Sequence, residues 1–162
     1  MNHIISVLVE NKSGVLTKIS GLFSRRGFNI ESLAVGPTDD EKISRITIVV
    51  NTDGDIIEQV TKQLHKLINV LKIQKLDPNY SIQRELVLVK VNTENKSRAE
   101  ILEIANIFRA NVVDVAKSSI TLELTGGETK IDAFKELLKP YGILEFVRTG
   151  MIACARGKNI KK

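Results

Sequence analysis

The stretch ENKSGVLTKISGLFSRRGFNIESL, residues 10–33, runs from a polar loop through a helical apolar stripe to a polar exit. Val15, Ile19, Leu22 and Phe23 fall at i, i+4, i+7 and i+8, the spacing of one face of an α-helix. Ser13 is the expected N-cap, Arg25 and Arg26 stand where cations favour a helix C-terminus, and Gly27 suits the left-handed residue that ends a helix. Ahead of the loop, Ile5, Val7 and Val9 alternate with Ile4, Ser6 and Leu8, which predicts a strand over 4–9. A strand feeding directly into a helix leaves the loop between them exposed at one edge of a sheet.

Working outward, 28–35 and 44–50 read as strands joined by the turn GPTDDEK. A second helix is expected from Asp55, capped with Glu58, with Ile56, Val60, Leu64, Leu67 and Ile68 on one face. A fourth strand follows at 70–76, and DPNYS reads as a linker. The order is βαββαβ. It then repeats without repeating the residues: a strand at 85–91, a helix opened by a Ser97/Glu100 capping box and carrying Ile101, Ile104, Ala105 and Phe108, and strands at 112–116 and 119–125. A helix at 129–138 with Ile131, Phe134 and Leu138 inward, stopped by Pro140 and Gly142, and a strand at 143–147, extended by 151–153, complete it. The class is α+β: two ferredoxin-like βαββαβ sandwiches in tandem, 1–78 and 79–162, the second ending in a basic tail.

Composition narrows the function. At 162 residues, 43% apolar and 27% charged, the chain can bury a core in each half. The start, MNHIISVLVEN, has no signal-peptide pattern, and no apolar run approaches the ~18 residues of a membrane span, so a cytoplasmic location is expected, or plastid stroma for an organelle-encoded chain. Cys154 stands alone and His3 and His65 are the only imidazoles, which argues against a disulfide or a Cys/His metal site. Of the net charge of +5, the tail RGKNIKK, 156–162, carries four basic residues and no acidic one, leaving +1 for 1–155. That describes a solvated terminus, where phosphate binding needs a stripe across a folded face. RNA-recognition modules share the βαββαβ order but stack bases on aromatics of the first and third strands. Here HIISVLVE, SRITIVVN, RELVLVKV and SSITLELT have none, so no nucleic-acid partner is expected. There is no GxGxxG, GxxxxGK, GxSxG or HExxH, TGGETK at 125–130 lacks P-loop spacing, and no carboxylate pair is nominated for acid–base work. Catalysis is not expected of this chain.

The loop 10–14 brings unpaired N–H groups of a helix start to one point, which attracts a carboxylate. Asn11 offers both an amide donor and a carbonyl acceptor, Gly14 lets a ligand approach the backbone, and Val15 and Leu16 offer an apolar wall. That suits a small apolar amino acid. The same residues also suit ordinary capping by Ser13, a turn at Gly14 and a helix exit at Asn29, and taken alone they leave both readings open. The second half has Arg98 and Ala99 where a glycine would be needed, so the site is expected in the first half only.

SVLVENKSGVLTKISGLFSRRGFNIESLAVGPTDD resembles the start of the small regulatory subunits of acetolactate synthase (acetohydroxyacid synthase). SRITIVV, QVTKQLHKLINVLKI, RELVLVKV, IDAF and ARG follow in the family's order over essentially the whole chain. The resemblance implies an ACT domain at 1–78, homodimeric through that domain, and a related C-terminal domain. It implies that Asn11 and Gly14 of one subunit, with Ser13, Val15 and Leu16 beside them, meet Asn29 and Ile30 of its partner around L-valine or a related branched-chain amino acid. It also implies a non-catalytic chain that activates the large catalytic subunit and makes it subject to feedback inhibition in branched-chain amino-acid biosynthesis. Thiamine diphosphate, Mg2+ and FAD would sit on that partner, with no cofactor here. The chain departs from the family pattern at Ala34, where a threonine is expected, and at Gly36, often alanine, which bears on the choice among valine, leucine and isoleucine.

Overall fold

A computed structural model describes residues 2–95 and 97–157. The basic tail lies outside the described residues from 158 onward. In the first half, β1 (Asn2–Glu10), α1 (Val15–Arg25), β2 (Ile30–Pro37), β3 (Ile43–Asn51), α2 (Gly54–Leu64) and β4 (Val70–Leu76) build an antiparallel sheet of order β2-β3-β1-β4. Strand alternation decides which side is buried. Ile5 pairs with Ile48 and Val7 with Ile46 on one face, and both rows pack with Val15, Ile19, Leu22, Phe23, Ile57, Val60 and Leu64 of the two helices. Each fully buried side chain of this size contributes about 1.5–3 kcal/mol, so this seam holds the helices on the sheet.

In the second half, β5 (Ser81–Asn92), α3 (Arg98–Phe108), β6 (Asn111–Val115), β7 (Ser119–Gly126), α4 (Glu128–Leu138) and β8 (Ile143–Arg148) give the order β6-β7-β5-β8. Val87, Val89 and Val91 of β5 and Ile120, Leu122 and Leu124 of β7 meet Ile101, Ala105, Ile131, Phe134 and Leu138. Both halves are thus ferredoxin-like, with helices on one face of an antiparallel sheet. No helix among the described residues is long and apolar enough to cross a membrane.

Several local expectations give way to stronger contacts. Helix α1 is capped by Gly14 in the left-handed region (φ 83°), not by Ser13, because the loop turns there before the first helical residue. Its far end is as expected: Gly27 N–H donates to Ser24 O and Phe28 N–H to Phe23 O, the paired bonds of a Schellman motif. Helix α2 is capped by Asp53, not Asp55, and ends at Leu64. Ile57 rather than Ile56 is its buried isoleucine there, and Ile68, beyond the helix, is 92% exposed. Ser97 does cap α3, but its capping box does not form: no side-chain cap bond is made, and Glu100 accepts from Tyr141 Oη at 2.8 Å.

Residues 151–153 do not extend β8. They open a separate strand, β9 (Ile152–Ala155), which pairs with β5. By contacts the chain falls into one unit that ends at Gln83 and resumes at Met151, and another of Arg84–Gly150. The returning segment lies on the face of the first sheet turned away from the helices, where Ala153 packs with Ile4, Val49 and Leu76, and Met151 and Ala155 add to the cluster. This explains why Ile4 and Val49, on the strand face opposite the helix core, are buried.

Candidate functional site

The loop between β1 and α1 is held by its neighbours on both sides. Asn11 N–H donates to Lys42 O at 2.7 Å and Asn11 Nδ2 to Glu41 O at 2.8 Å, which fastens the loop to the β2–β3 turn. That turn is itself tied: Thr38 N–H reaches Ile43 O at 2.8 Å, and Lys42 N–H reaches Asp40 Oδ1 at 2.9 Å. On the other side, Glu10 N–H donates to Asn69 O and Asn69 Nδ2 to Glu10 Oε2 at 3.0 Å, linking the loop to the segment entering β4. Lys12 Nζ meets the same Glu10 oxygen at 2.9 Å, and Lys18 Nζ donates to Asn69 Oδ1 at 3.2 Å. The hydrogen bonds from Lys12 and Asn69 hold the Glu10 carboxyl below the usual carboxylate range. Two lysines against one glutamate leave the loop with positive character, the same sign as the N-terminal end of the α1 dipole, so both attract an anion.

Gly14 sits in this frame at φ 83°, where an L side chain is strained by about 1–2 kcal/mol. A Cβ placed on it would meet no heavy atom within 4 Å, so the backbone there is open to an approaching molecule. Val15 N–H donates to Lys12 O at 3.4 Å, and the next N–H groups of the first turn of α1 have no intrahelical acceptor and no side-chain cap. Ser13 is exposed beside them and Leu16 is 42% exposed, an apolar surface one residue into the helix. Val15, by contrast, faces the core. With the Asn11 amide nitrogen donating to Glu41 O, its carbonyl oxygen is an acceptor of a kind suited to an ammonium.

Asn29 is exposed and Ile30 half-buried, both where the chain enters β2. Helix α1, of 11 residues, separates them from Gly14 by about 16 Å at ~1.5 Å per residue. Within one chain, therefore, Asn11, Ser13, Gly14 and Leu16 come together, and Asn29 with Ile30 stands apart at the other helix end. The supporting residues Glu41, Lys42 and Asn69 lie outside the sequence expectation, since their roles run through backbone oxygens and a distant side chain. Only the turn-forming TDD at 38–40 hinted at a built scaffold there.

The second unit has the same connection but a different closure. Arg98, the first residue of α3, sends Nη2 to Ala116 O at 2.8 Å and Lys117 O at 3.3 Å, so the helix start is fastened to the β6–β7 turn by its own side chain. Ser97 and Thr93 are buried. Among the described residues no group of three or more His, Cys, Asp or Glu side chains is placed to hold a metal ion.

Two family models match the chain: an acetohydroxyacid synthase small-subunit-like ACT domain over residues 5–72 and the small subunit of acetolactate synthase over 84–157. The acetolactate synthase small subunit of Mycobacterium bovis is 52% identical over 96% of this chain and 92% of its own. A probable acetolactate synthase small subunit of Archaeoglobus fulgidus is 52% identical over 97% and 98%. The crystal structure of the Thermotoga maritima acetolactate synthase small subunit superposes with a TM-score of 0.91 at 39% identity, covering 97% of this chain and 98% of that one. Sequence along nearly its full length and the fold of both halves agree, and the chain belongs to the acetolactate synthase small-subunit family.

Proposed function

We propose that this chain senses a branched-chain amino acid, L-valine first among them, at a site shared by two copies of its ACT domain, and passes occupancy to the large subunit. In that enzyme catalysis lies in the large subunit, and this chain is its regulatory partner. Thiamine diphosphate, Mg2+ and FAD belong to the catalytic subunit, whose activity this chain raises, and the complex works in the cytoplasm.

The observation that carries the two-chain site is topological. Strand β2 is an edge of the first sheet, with one side unpaired. The Asn11 loop is fastened to the turn at the Pro37 end of β2, and Asn29 and Ile30 stand at its beginning. Antiparallel pairing of β2 with β2 of a second copy would lay the beginning of one strand beside the end of the other, about 4.8 Å away. The partner's Asn29 and Ile30 would then face Asn11, Gly14 and Leu16, which one chain alone holds about 16 Å away. The ligand carboxylate meets the Gly14 and first-turn N–H groups, its ammonium meets Asn11 Oδ1, and its side chain lies toward Leu16.

Since a ligand shifts an equilibrium only by binding its states unequally, a site built from two chains gives valine leverage over their relative arrangement. A thermal melt of the purified chain tests the binding step. L-valine at ~100 times its dissociation constant should stabilise the protein by about 2.7 kcal/mol, with no shift from D-valine or lysine. Equal shifts with all three, or inhibition absent from the reconstituted enzyme at saturating L-valine, would refute the proposal.

A further inference from the structure

Between the first residues of β2 and the point where the chain returns from the second unit stands one hydrogen bond. Met151 N–H donates to Ser32 Oγ at 2.8 Å. Ser32 follows Ile30 by two residues, and the register of β2 on β3 slips between them: Ile30 pairs with Val50 and Ser32 with Val49, leaving Glu31 as the extra residue of a bulge. A bulge is a joint in a strand, where a small change in direction on one side is felt as a shift of the side chain on the other. Asn29 and Ile30 thus enter the sheet immediately before a joint whose far side holds Ser32.

The donor of that bond carries a defined load. Met151 begins the segment that Ala153 seats on Ile4, Val49 and Leu76, and Arg156 N–H closes it on Tyr80 O at 2.8 Å. The residue immediately before it, Gly150, has φ 83° and belongs to the second unit, where its N–H donates to Glu85 Oε1 at 3.1 Å. Glu85 is 4% exposed and takes both Nε and Nη2 of Arg148 at 2.6 Å, so the carboxylate that grips Gly150 is fixed by a two-pronged ion pair. Consecutive peptide N–H groups, those of Gly150 and Met151, are therefore held by side chains of different units, Glu85 and Ser32. The other covalent passage is Gln83–Arg84, inside β5, a continuous twelve-residue strand. Of the two passages, the one at Gly150 has a joint, and Ser32 is the residue that ties it to β2.

We infer that Ser32 is a coupling residue: occupancy at Asn29 and Ile30 moves β2 across the Glu31 bulge, and the Ser32 Oγ to Met151 N–H bond transfers that movement to the Gly150 turn and so to the second unit. Ser32 does not contact the effector in this account, and its role rests on the effector site proposed above. Coupling is reciprocal, so a residue that carries it changes how strongly the catalytic subunit alters valine affinity, while leaving the affinity of the free small subunit in place.

The test uses the small subunit free and reconstituted with its catalytic subunit, in wild type and in Ser32→Ala, Ser32→Cys and Ser32→Thr. Alanine removes the acceptor, cysteine keeps the size with a weak acceptor, and threonine restores the hydroxyl. Ser32→Ala and Ser32→Cys should bind L-valine as free chains within threefold of wild type and activate the catalytic subunit normally. Their inhibition at saturating valine should fall at least fivefold short of wild type, with valine affinities of the free chain and the complex converging, and Ser32→Thr should restore both. Full inhibition in alanine and cysteine variants overturns the inference. Loss of valine binding or of activation by both as free chains or complexes also overturns it, since Ser32 would then act in the site or in the fold. A wild-type chain that binds no valine, free or in complex, removes the effector site itself, and that result is distinguished by its appearance before any substitution.

Discussion

The two units share element order and sheet order, yet their first loops end in opposite ways. In the first unit Asn11, a short side chain three residues before the cap, fastens the loop to the β2–β3 turn and leaves the start of α1 uncovered at Gly14. In the second, Arg98 makes the corresponding tie from the helix itself, and Ser97 and Thr93 are buried. A glycine as the cap of α1 and an arginine as the first residue of α3 separate an open helix start from a closed one.

The comparison breaks most completely at Gly14. Gly14→Asp combines left-handed strain of about 1–2 kcal/mol with a negative charge where the proposed site receives the effector carboxylate. Valine affinity should fall at least ~100-fold, equivalent to about 2.7 kcal/mol, while activation of the catalytic subunit persists. Titration calorimetry with activity assays checks this, and loss of activation together with binding would mean that the assembly had failed instead.

In the second unit the expected large effect on the free chain is on stability. Arg148→Ala leaves the Glu85 carboxylate buried with Gly150 N–H as its remaining partner from this cluster, at a cost of about 3 kcal/mol. Denaturant unfolding should register it, and valine affinity of the free chain should stay within threefold of wild type. Glu85→Ala should cost less, about 1–2 kcal/mol, because the stranded Arg148 is 48% exposed and retains water.

The smallest difference concerns the helix exits. Helix α1 leaves through Gly27 at φ 68°, whereas α3 leaves through Arg109 at φ 56°, a left-handed residue with a side chain. Arg109→Gly should raise stability by about 0.5–1 kcal/mol in the same unfolding experiment, making the second exit resemble the first.

Most of the fold was legible because alternation and helical spacing agree with burial: Val15, Ile19, Leu22 and Phe23 form the inner stripe of α1, and Ile131, Phe134 and Leu138 that of α4. The misreadings share a cause. Ser13 and Asp55 are good capping residues beaten by backbone geometry one or two positions away, and Glu100 is drawn off by Tyr141, forty-one residues distant. Strand β9 reads in the sequence as an extension of β8 because its partners, β5 in pairing and Ile4, Val49 and Leu76 in packing, are all remote in sequence. At the candidate site, Asn11, Gly14 and Asn29 could be nominated from residue type. That Asn11 spends its amide nitrogen on Glu41 O required coordinates, whereas the separation of Gly14 from Asn29 follows from the helix expected between them.

The central claim, that two chains complete each effector site, is tested most directly by mixing two defective variants. Asn11→Ala and Asn29→Ala homodimers should each bind L-valine weakly. Unfolded together and refolded, they form heterodimers in which one site receives both intact asparagines and the other neither. With random pairing about a quarter of all sites should recover wild-type affinity in titration calorimetry, as half the dimers carry one intact site. No recovery in demonstrated heterodimers would contradict the account and place Asn11 and Asn29 in sites that a single chain completes or that do not bind valine at all.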